Sequence, residues 1–363
     1  MRIAIVAGPN IPVPPKQYGG TEQVIYYLIK GLIEEGHEPI LLGPADSKVD
    51  CEIIPLIDKS LSYPLHKSDL RAHESLERKA MQNTLKKLKE ILPTIDIIHS
   101  HGFDLLPFQK FPNLTTIHNM IEFEHVNYLE KRKNLFYASI SNNQQISLPD
   151  IKYVGTVYNG EDPSEFPIVE YPDNYVCFLG RFDTDKNPHL AIQLAISLGI
   201  KIKIAGKIDF KGESYFETEI KKYLNHPLVE YLGELGFEDK IKLLSRARCN
   251  LHPTNFREPF GLTVLEAAYC GTPTLATARG SMSELIEQER TGHLVEDFIE
   301  GRRFLKACFD MDRSYIANRS RQLFNYKMMT KDYLKAYAWV IERTPKYSHK
   351  ISLITRLRNL IGY

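Results

Sequence analysis

The sequence predicts an α/β protein of two similar domains, each a parallel sheet with crossover helices, facing across a cleft. Three observations carry this reading. Strands and helices alternate through the first half, the composition turns acidic and proline-rich over residues 158–172, and a second alternating unit follows. Residues 2–7 read as a buried strand, because the apolar run is too short for a signal peptide. Residues 21–35 read as a helix whose Val24, Leu28 and Leu32 share one face, with Gly36 as its stop, and 38–42 as the next strand. A polar, weakly periodic stretch over 68–92 predicts a long surface helix, while 95–99 and 115–118 predict short strands. Beyond the linker, 175–179, 201–205, 229–232 and 247–252 predict strands, with a helix over 189–198 between the first two. Residues 330–342 predict a helix with Tyr333, Tyr337 and Val340 on one face. Both halves open with a strand leading into a glycine, without a sequence repeat beyond that.

At 363 residues, 43% hydrophobic and 25% charged, the chain has the size and composition of two ordinary globular domains. A formal net charge of +1 supplies no field to recruit nucleic acid, so no nucleic-acid partner is expected. The five cysteines are odd in number, widely spread and never in a Cys-x-x-Cys pair, which suits reduced thiols. No segment approaches the ~20 apolar residues that cross a bilayer, and a cytoplasmic or peripheral location is expected. Residues 350–361 are apolar on one side and basic on the other, suited either to an anionic membrane surface or to packing on the protein itself.

The most informative stretch is Asn255-Phe256-Arg257-Glu258-Pro259-Phe260-Gly261-Leu262-Thr263-Val264-Leu265-Glu266, where two carboxylates bracket a proline, an aromatic and a glycine. Pro259 suits a first helical position, which predicts a helix from there through Leu262, Val264, Leu265 and Ala268. Glu258 then sits at the helix mouth. Gly261 lets a ligand's oxygens approach the N–H groups of the first turn, whose partial positive charge favours phosphate. Glu266, two turns in, is suited to accept two hydrogen bonds from a vicinal diol such as a ribose. From spacing alone, a capped amphipathic helix with solvated glutamates is an equal alternative.

Arg181 and Lys186 follow a predicted strand, at the carboxyl end where open α/β sheets bind ligands. A guanidinium fork and a point charge together suit a diphosphate. Asp183-Thr184-Asp185 is an Asp-x-Asp of the kind that holds Mn²⁺ or Mg²⁺, yet Asp310-Met311-Asp312 repeats the pattern with no matching context. Asp183 and Asp185 are read as loop residues, and no metal is expected. The absence of Gly-x-Gly-x-x-Gly and Walker motifs argues against a nicotinamide dehydrogenase or a phosphate-loop ATPase.

The segment from Glu258 to Glu266 resembles the Glu-x7-Glu signature of the retaining glycosyltransferases of family four (glycosyl transferases group 1). Cys270-Gly271-Thr272-Pro273-Thr274 is similar to that family's next strand entry, and Thr291-Gly292-His293-Leu294-Val295 to a later segment. Gly280-Ser281-Met282-Ser283-Glu284 resembles its Gly-Gly-x-x-Glu turn, with Ser281 where the family usually has a second glycine. The resemblance spans most of the chain and is most specific over residues 175–297.

It implies the glycosyltransferase-B fold, with two Rossmann-like domains and a C-terminal helix crossing back to the first. Residues 1–160 would form the acceptor-side domain, 161–325 the nucleotide-sugar-binding domain, and 326–363 the crossover helix and basic tail. It further implies transfer of a sugar from a nucleotide diphosphate sugar, UDP being the commonest donor, to a carbohydrate, lipid or small-molecule hydroxyl. Retention of configuration and no cofactor are expected. Under the same resemblance, Glu258 contacts the donor sugar, Phe260, Gly261 and Leu262 offer backbone N–H groups, and Arg181 and Lys186 take the phosphates. Gly19 and Gly20 form the N-terminal glycine loop that meets the diphosphate, with Thr21 as a helix cap. His118 stands beside the reacting centre, with His101 a second candidate. A synthase or phosphorylase using a sugar phosphate on the same fold, and a noncatalytic nucleotide-sugar binder, are the alternatives.

Overall fold

The computed structural model describes residues 1–62, 69–121 and 123–344. The first half runs β1 (Arg2–Val6), α1 (Gly20–Glu34), β2 (Glu38–Pro44), β3 (Glu52–Ile57), α2 (Leu70–Ile91), β4 (Ile97–Ser100), β5 (Asn113–Ile117), α3 (Phe123–Glu130), β6 (Phe136–Ser139), α4 (Asn142–Gln145) and β7 (Lys152–Thr156). Its seven strands form one parallel sheet of order β3-β2-β1-β4-β5-β6-β7. Both faces of such a sheet are covered, which is why β1 is apolar throughout: Ile3 and Ile5 pack with α1, and Ala4 and Val6 pack on the other side with Leu88 of α2. Helix α1 ends as anticipated around Gly36, where the Gly36 and His37 N–H groups return to the carbonyls of Ile33 and Leu32, both at 2.9 Å.

The second half runs β8 (Val176–Leu179), α5 (Pro188–Ser197), β9 (Ile202–Ala205), α6 (Glu213–Tyr215), β10 (Val229–Tyr231), α7 (Phe237–Arg246), β11 (Asn250–His252), α8 (Leu262–Tyr269), β12 (Thr274–Thr277), α9 (Met282–Leu285), β13 (Gly292–Val295), α10 (Leu305–Cys308), α11 (Arg313–Leu323) and α12 (Tyr326–Arg343). Its six strands form a second parallel sheet of order β10-β9-β8-β11-β12-β13. The architecture is therefore the two-sheet α/β fold that the sequence predicts. Three corrections apply. Helix α8 begins at Leu262, not Pro259, because Gly261 at its N-cap is left-handed with φ 95°. Gly19 and not Thr21 stands at the N-cap of α1. The strand expected over 247–252 begins only at Asn250.

Helix α12 carries the chain back to the first sheet. Asn325 caps it by accepting the Met328 N–H at 2.9 Å, one turn before the expected start. Tyr333, Tyr337 and Val340 are all fully buried in the core built by Ile3, Ile5 and α1. Among the described residues no helix is long and apolar enough to cross a membrane, and residues 350–361 lie outside the described residues.

At the crossing of α1 and α12, a Cβ on Gly31 would stand 2.0 Å from the Thr330 hydroxyl. Gly31→Ala should therefore wedge the two helices apart and destabilise the fold by ~1–3 kcal/mol. Urea denaturation of the single variant and of Gly31→Ala/Thr330→Ala tests this, the second change being expected to restore part of the loss.

Candidate active site

Strand β8 ends at Leu179, and the chain turns through Gly180 into Arg181 at the carboxyl edge of the second sheet. The Asp183 carboxylate accepts the N–H groups of Asp185 (3.1 Å) and Lys186 (3.0 Å), which folds the loop back and presents both cations. Arg181 pairs with Asp183 at 3.2 Å and with Asp185 at 3.6 Å. These two aspartates thus shape the loop and partner the arginine. Asp312 of the second Asp-x-Asp caps α11, accepting the Tyr315 N–H at 3.0 Å. Among the described residues no group of three or more His, Cys, Asp or Glu side chains is arranged to hold a metal ion.

Glu258 is the electrostatic centre of the site. Its carboxylate is 6% exposed, and one oxygen receives both the Lys186 ammonium and the His252 ring, the latter at 3.1 Å. Burial alone would raise its pKa, but Lys186 and His252 outweigh that and draw it down to about 2. Glu258 is therefore an anion throughout the physiological range. Ser281 also reaches this loop: its N–H donates to the Glu258 carbonyl at 2.9 Å and its hydroxyl to the Phe260 carbonyl at 2.6 Å. The serine in place of the usual glycine thus anchors the loop that carries Glu258. The Phe260 ring is buried against Tyr158 and Phe324, so only its backbone faces a ligand role.

Across the cleft, a Cβ on Gly20 would stand 2.9 Å from a methyl of Leu262. The first residues of α1 and α8 therefore meet, and two helix N-termini converge on one place with their partial positive charges. The Tyr18 N–H donates to Glu234 at 3.1 Å from the same glycine loop. Glu22, in the first turn of α1, is buried and pushed up to about 7 chiefly by desolvation, with Lys207, just beyond the end of β9, acting against the shift.

The two histidines expected at separate strand ends touch. His118 Nε2 lies 2.8 Å from His101 Nδ1 with the rings stacked, and His99 lies under His101 at a centroid distance of 4.2 Å. His99 is locked by the Tyr337 hydroxyl on one nitrogen and the Thr116 hydroxyl on the other, both at 2.8 Å. His101 Nε2 is buried with no hydrogen-bond partner among the described residues. Glu266 occupies the second turn of α8 and is 4% exposed, with Lys240 of α7 at 2.5 Å from one oxygen.

Comparison with known proteins gives this geometry its setting. The description "Glycosyltransferase Family 4" matches residues 18–147, and "Glycosyl transferases group 1" matches residues 164–302. The chain belongs to this family. It is 23% identical over 343 residues to a glycogen synthase of Mycobacterium tuberculosis, covering 80% of this chain and 81% of that one. Among solved structures, sucrose-phosphate synthase of Thermosynechococcus elongatus superposes with a TM-score of 0.75 at 19% identity, over 93% of this chain and 98% of that one. Anabaena Alr3699/HepE, crystallised with UDP-glucose, superposes with a TM-score of 0.69 at 16% identity, over 92% and 98%. The protein is thus a glycosyltransferase of the glycosyltransferase-B fold, an enzyme whose reaction uses a nucleotide sugar.

Of the residues singled out in the sequence of this glycosyltransferase, Lys186 and Glu258 form one cluster, Gly20 meets Leu262, and His101 meets His118. Sequence reasoning missed His252, Lys207, Glu22, Lys240 and Glu161. For His252, a histidine ending a strand six residues before Glu258 is a usable signal, and Glu22 lies two residues after Gly20 in the first turn of α1; Lys207, Lys240 and Glu161 are joined to the site only by long-range packing.

Burial pushes His99 down to about 3, His118 to about 4, and His101 well below the usual 6.5. The unfolded chain binds more protons than the native one below pH 6.5, so these rings contribute stability that is lost as pH falls toward 4. Each contributes a slope of up to about 1.4 kcal/mol per pH unit. Urea unfolding of the parent and His101→Gln from pH 7 to 5 should show the shallower loss in the variant.

Proposed function

We propose that this glycosyltransferase moves a hexosyl group from UDP-sugar to an acceptor hydroxyl, retaining the anomeric configuration and needing no metal ion. The observation that carries this reading is the Glu258 carboxylate, held ionised by Lys186 and His252 beside the N-terminus of α8. Residues 161–325 are taken as the donor domain and residues 1–160 as the acceptor side, with residues 326–363 as the returning segment. The diphosphate rests on the N–H groups of Gly261 and Leu262, facing Gly19 and Gly20, with Arg181 and Lys186 neutralising it. Glu258 accepts hydrogen bonds from the sugar hydroxyls, and Glu266 accepts them from the ribose.

In the reaction the C1–O bond to the diphosphate stretches, giving the sugar oxocarbenium character while charge builds on the departing oxygen. Arg181, Lys186 and the convergent helix N-termini stabilise that charge. The acceptor hydroxyl attacks C1 from the face the diphosphate leaves, and its proton passes to the leaving phosphate oxygen. No side chain is required as a covalent nucleophile. His118, neutral at pH 7 through burial and backed by His101, orients the sugar without adding charge beside the developing cation.

The experiment is nucleotide release from UDP-, GDP- and ADP-sugars with an acceptor panel, with and without EDTA, and with product stereochemistry read by NMR. UDP-sugar turnover that survives EDTA and yields the retained anomer is expected. Arg181→Ala should lower kcat by about 10²–10³-fold, while Glu266→Ala should act mainly on donor KM. Activity abolished by EDTA and restored by Mn²⁺ would overturn the metal-independent reading.

A further inference from the structure

Behind α8 lies a buried group of charges of which the reaction described above uses only Glu266. Lys240 reaches from the first turn of α7 to one oxygen of Glu266 at 2.5 Å, and its ammonium sits 4.8 Å over the Phe237 ring. Glu161, from the linker between the two sheets, is fully buried beside them. Neither of its oxygens, nor the second oxygen of Glu266, meets a hydrogen-bond donor among the described residues. Two carboxyls and one ammonium therefore share one buried place. Two adjacent carboxylates with a single cation leave a net negative charge out of water, which is costly. One proton removes that cost, and a protonated carboxyl also becomes the missing donor.

The surroundings fix which acid takes the proton. Glu266 holds the contact with Lys240, while Glu161 has no cation in contact. Desolvation, then Glu266, drive the Glu161 pKa well above its usual value, with Lys240 opposing from α7 and Glu165 adding to the rise from its own segment. Tyr269 of α8 and Tyr27 of α1 also face it. For Lys240, burial disfavours the charge, but Glu266 and Glu161 prevail and raise its pKa.

We infer that Lys240 and Glu161 are positioning residues for Glu266: the ammonium fixes one carboxylate oxygen, the protonated Glu161 carboxyl donates to the other acid, and the remaining lone pairs of Glu266 are left for the donor's vicinal diol. The inference rests on the reading of Glu266 as the ribose acceptor. It makes Glu161 and Lys240 determinants of how sharply the enzyme recognises ribose hydroxyls, and makes that recognition fade at alkaline pH, where Glu161 loses its proton and two carboxylates repel.

The test compares Kd for UDP and 2′,3′-dideoxy-UDP by calorimetry at pH 6.5, 7.5 and 9, with Tm measured alongside. Wild type should prefer UDP by about 10- to 100-fold at pH 6.5, and the preference should shrink at pH 9. Lys240→Met should cut it to about threefold or less, and Lys240→Arg should restore part of it. Glu161→Gln, which imitates the protonated acid, should keep the preference and make it independent of pH; it should also raise Tm more at pH 8 than at pH 5, because the native state retains a proton that the unfolded chain releases above about 4.5.

No preference in wild type, or a preference unchanged in Glu266→Ala, refutes the ribose reading itself. A preference lost in Glu266→Ala but intact in Lys240→Met, with Glu161→Gln as pH-dependent as wild type, leaves that reading standing and overturns the positioning role. A fall in Tm without any change in the UDP preference likewise makes Lys240 and Glu161 structural only. Should Lys240→Met fail to fold, the pH response of Glu161→Gln decides alone.

Discussion

Tyr333 and Tyr337, carried back by α12, reach their hydroxyls to Thr116 and His99 and tie that helix to the strand ends that line the cleft. The histidine cluster at this edge of the first sheet leans on that tie. His99 is fully buried and bonded on both nitrogens, so it is a fixed base for the His101 ring packed at a tilt against it, and His101 in turn fixes His118. A helix from the end of the chain thereby sets the orientation of a ring that comes from its first third. The same helix buries its apolar face against α1, whose N-terminus meets that of α8 across the cleft. Packing far from the chemistry and geometry at the chemistry are one structure here.

The second sheet solves a different problem, that of holding charges in a partly dry place. Glu258, Glu266 and Glu161 are all buried, and each would be costly alone. The chain handles them by distinct means. Glu258 receives a lysine and a histidine, Glu266 receives a lysine, and Glu161 is pushed toward its neutral form by burial and its neighbour. Glu284 is settled at the other edge of the cleft, accepting the Asn142 and Asn143 N–H groups at 2.9 Å from the first turn of α4. A carboxylate on one sheet thus caps a helix on the other, close to the Tyr158 hydroxyl that joins the same oxygen at 2.7 Å.

The two-sheet fold was legible because its strands are continuous apolar runs and its first helix shows a clean face with a glycine stop. Strands β3, β6 and β7 were not legible: Glu52 and Pro55 interrupt β3, Lys152 and Gly155 interrupt β7, and β6 is only the four residues Phe136–Ser139, so parallel pairing with neighbouring strands supplies what the local pattern lacks. Helix α7 was also passed over, though Ile241 and Leu244 at helical spacing are buried. In the site, the Glu258 to Glu266 run, the glycine loop and the pair Arg181 and Lys186 stood out by motif. The start of α8 did not, since Pro259 offers a better local helix start than the left-handed glycine the fold employs. Lys240 and Glu161 were invisible for a stronger reason. Nothing in residues 161 or 240 alone marks a partner on α8, and the pairing exists only once α7, α8 and the linker have packed.

The two cations proposed to meet the donor, Arg181 and Lys186, are not equivalent. Lys186 and Glu258 are 15% and 7% exposed in their side chains, so separating them would leave a buried charge uncompensated, at a cost of about 3–5 kcal/mol. In the proposed reaction, donor phosphate would therefore approach Lys186 without displacing it from Glu258. Arg181 is 26% exposed and shares two aspartates, one of which, Asp185, is 52% exposed. The pair with Asp183, at 3.2 Å, is the more buried of the two, whereas the longer pair with exposed Asp185 is worth about 0–1 kcal/mol. A diphosphate offers Arg181 a bidentate contact stronger than that. In the proposed reaction Arg181 would be the member that exchanges partners as the donor enters and the diphosphate leaves, while Lys186 keeps its contact with Glu258.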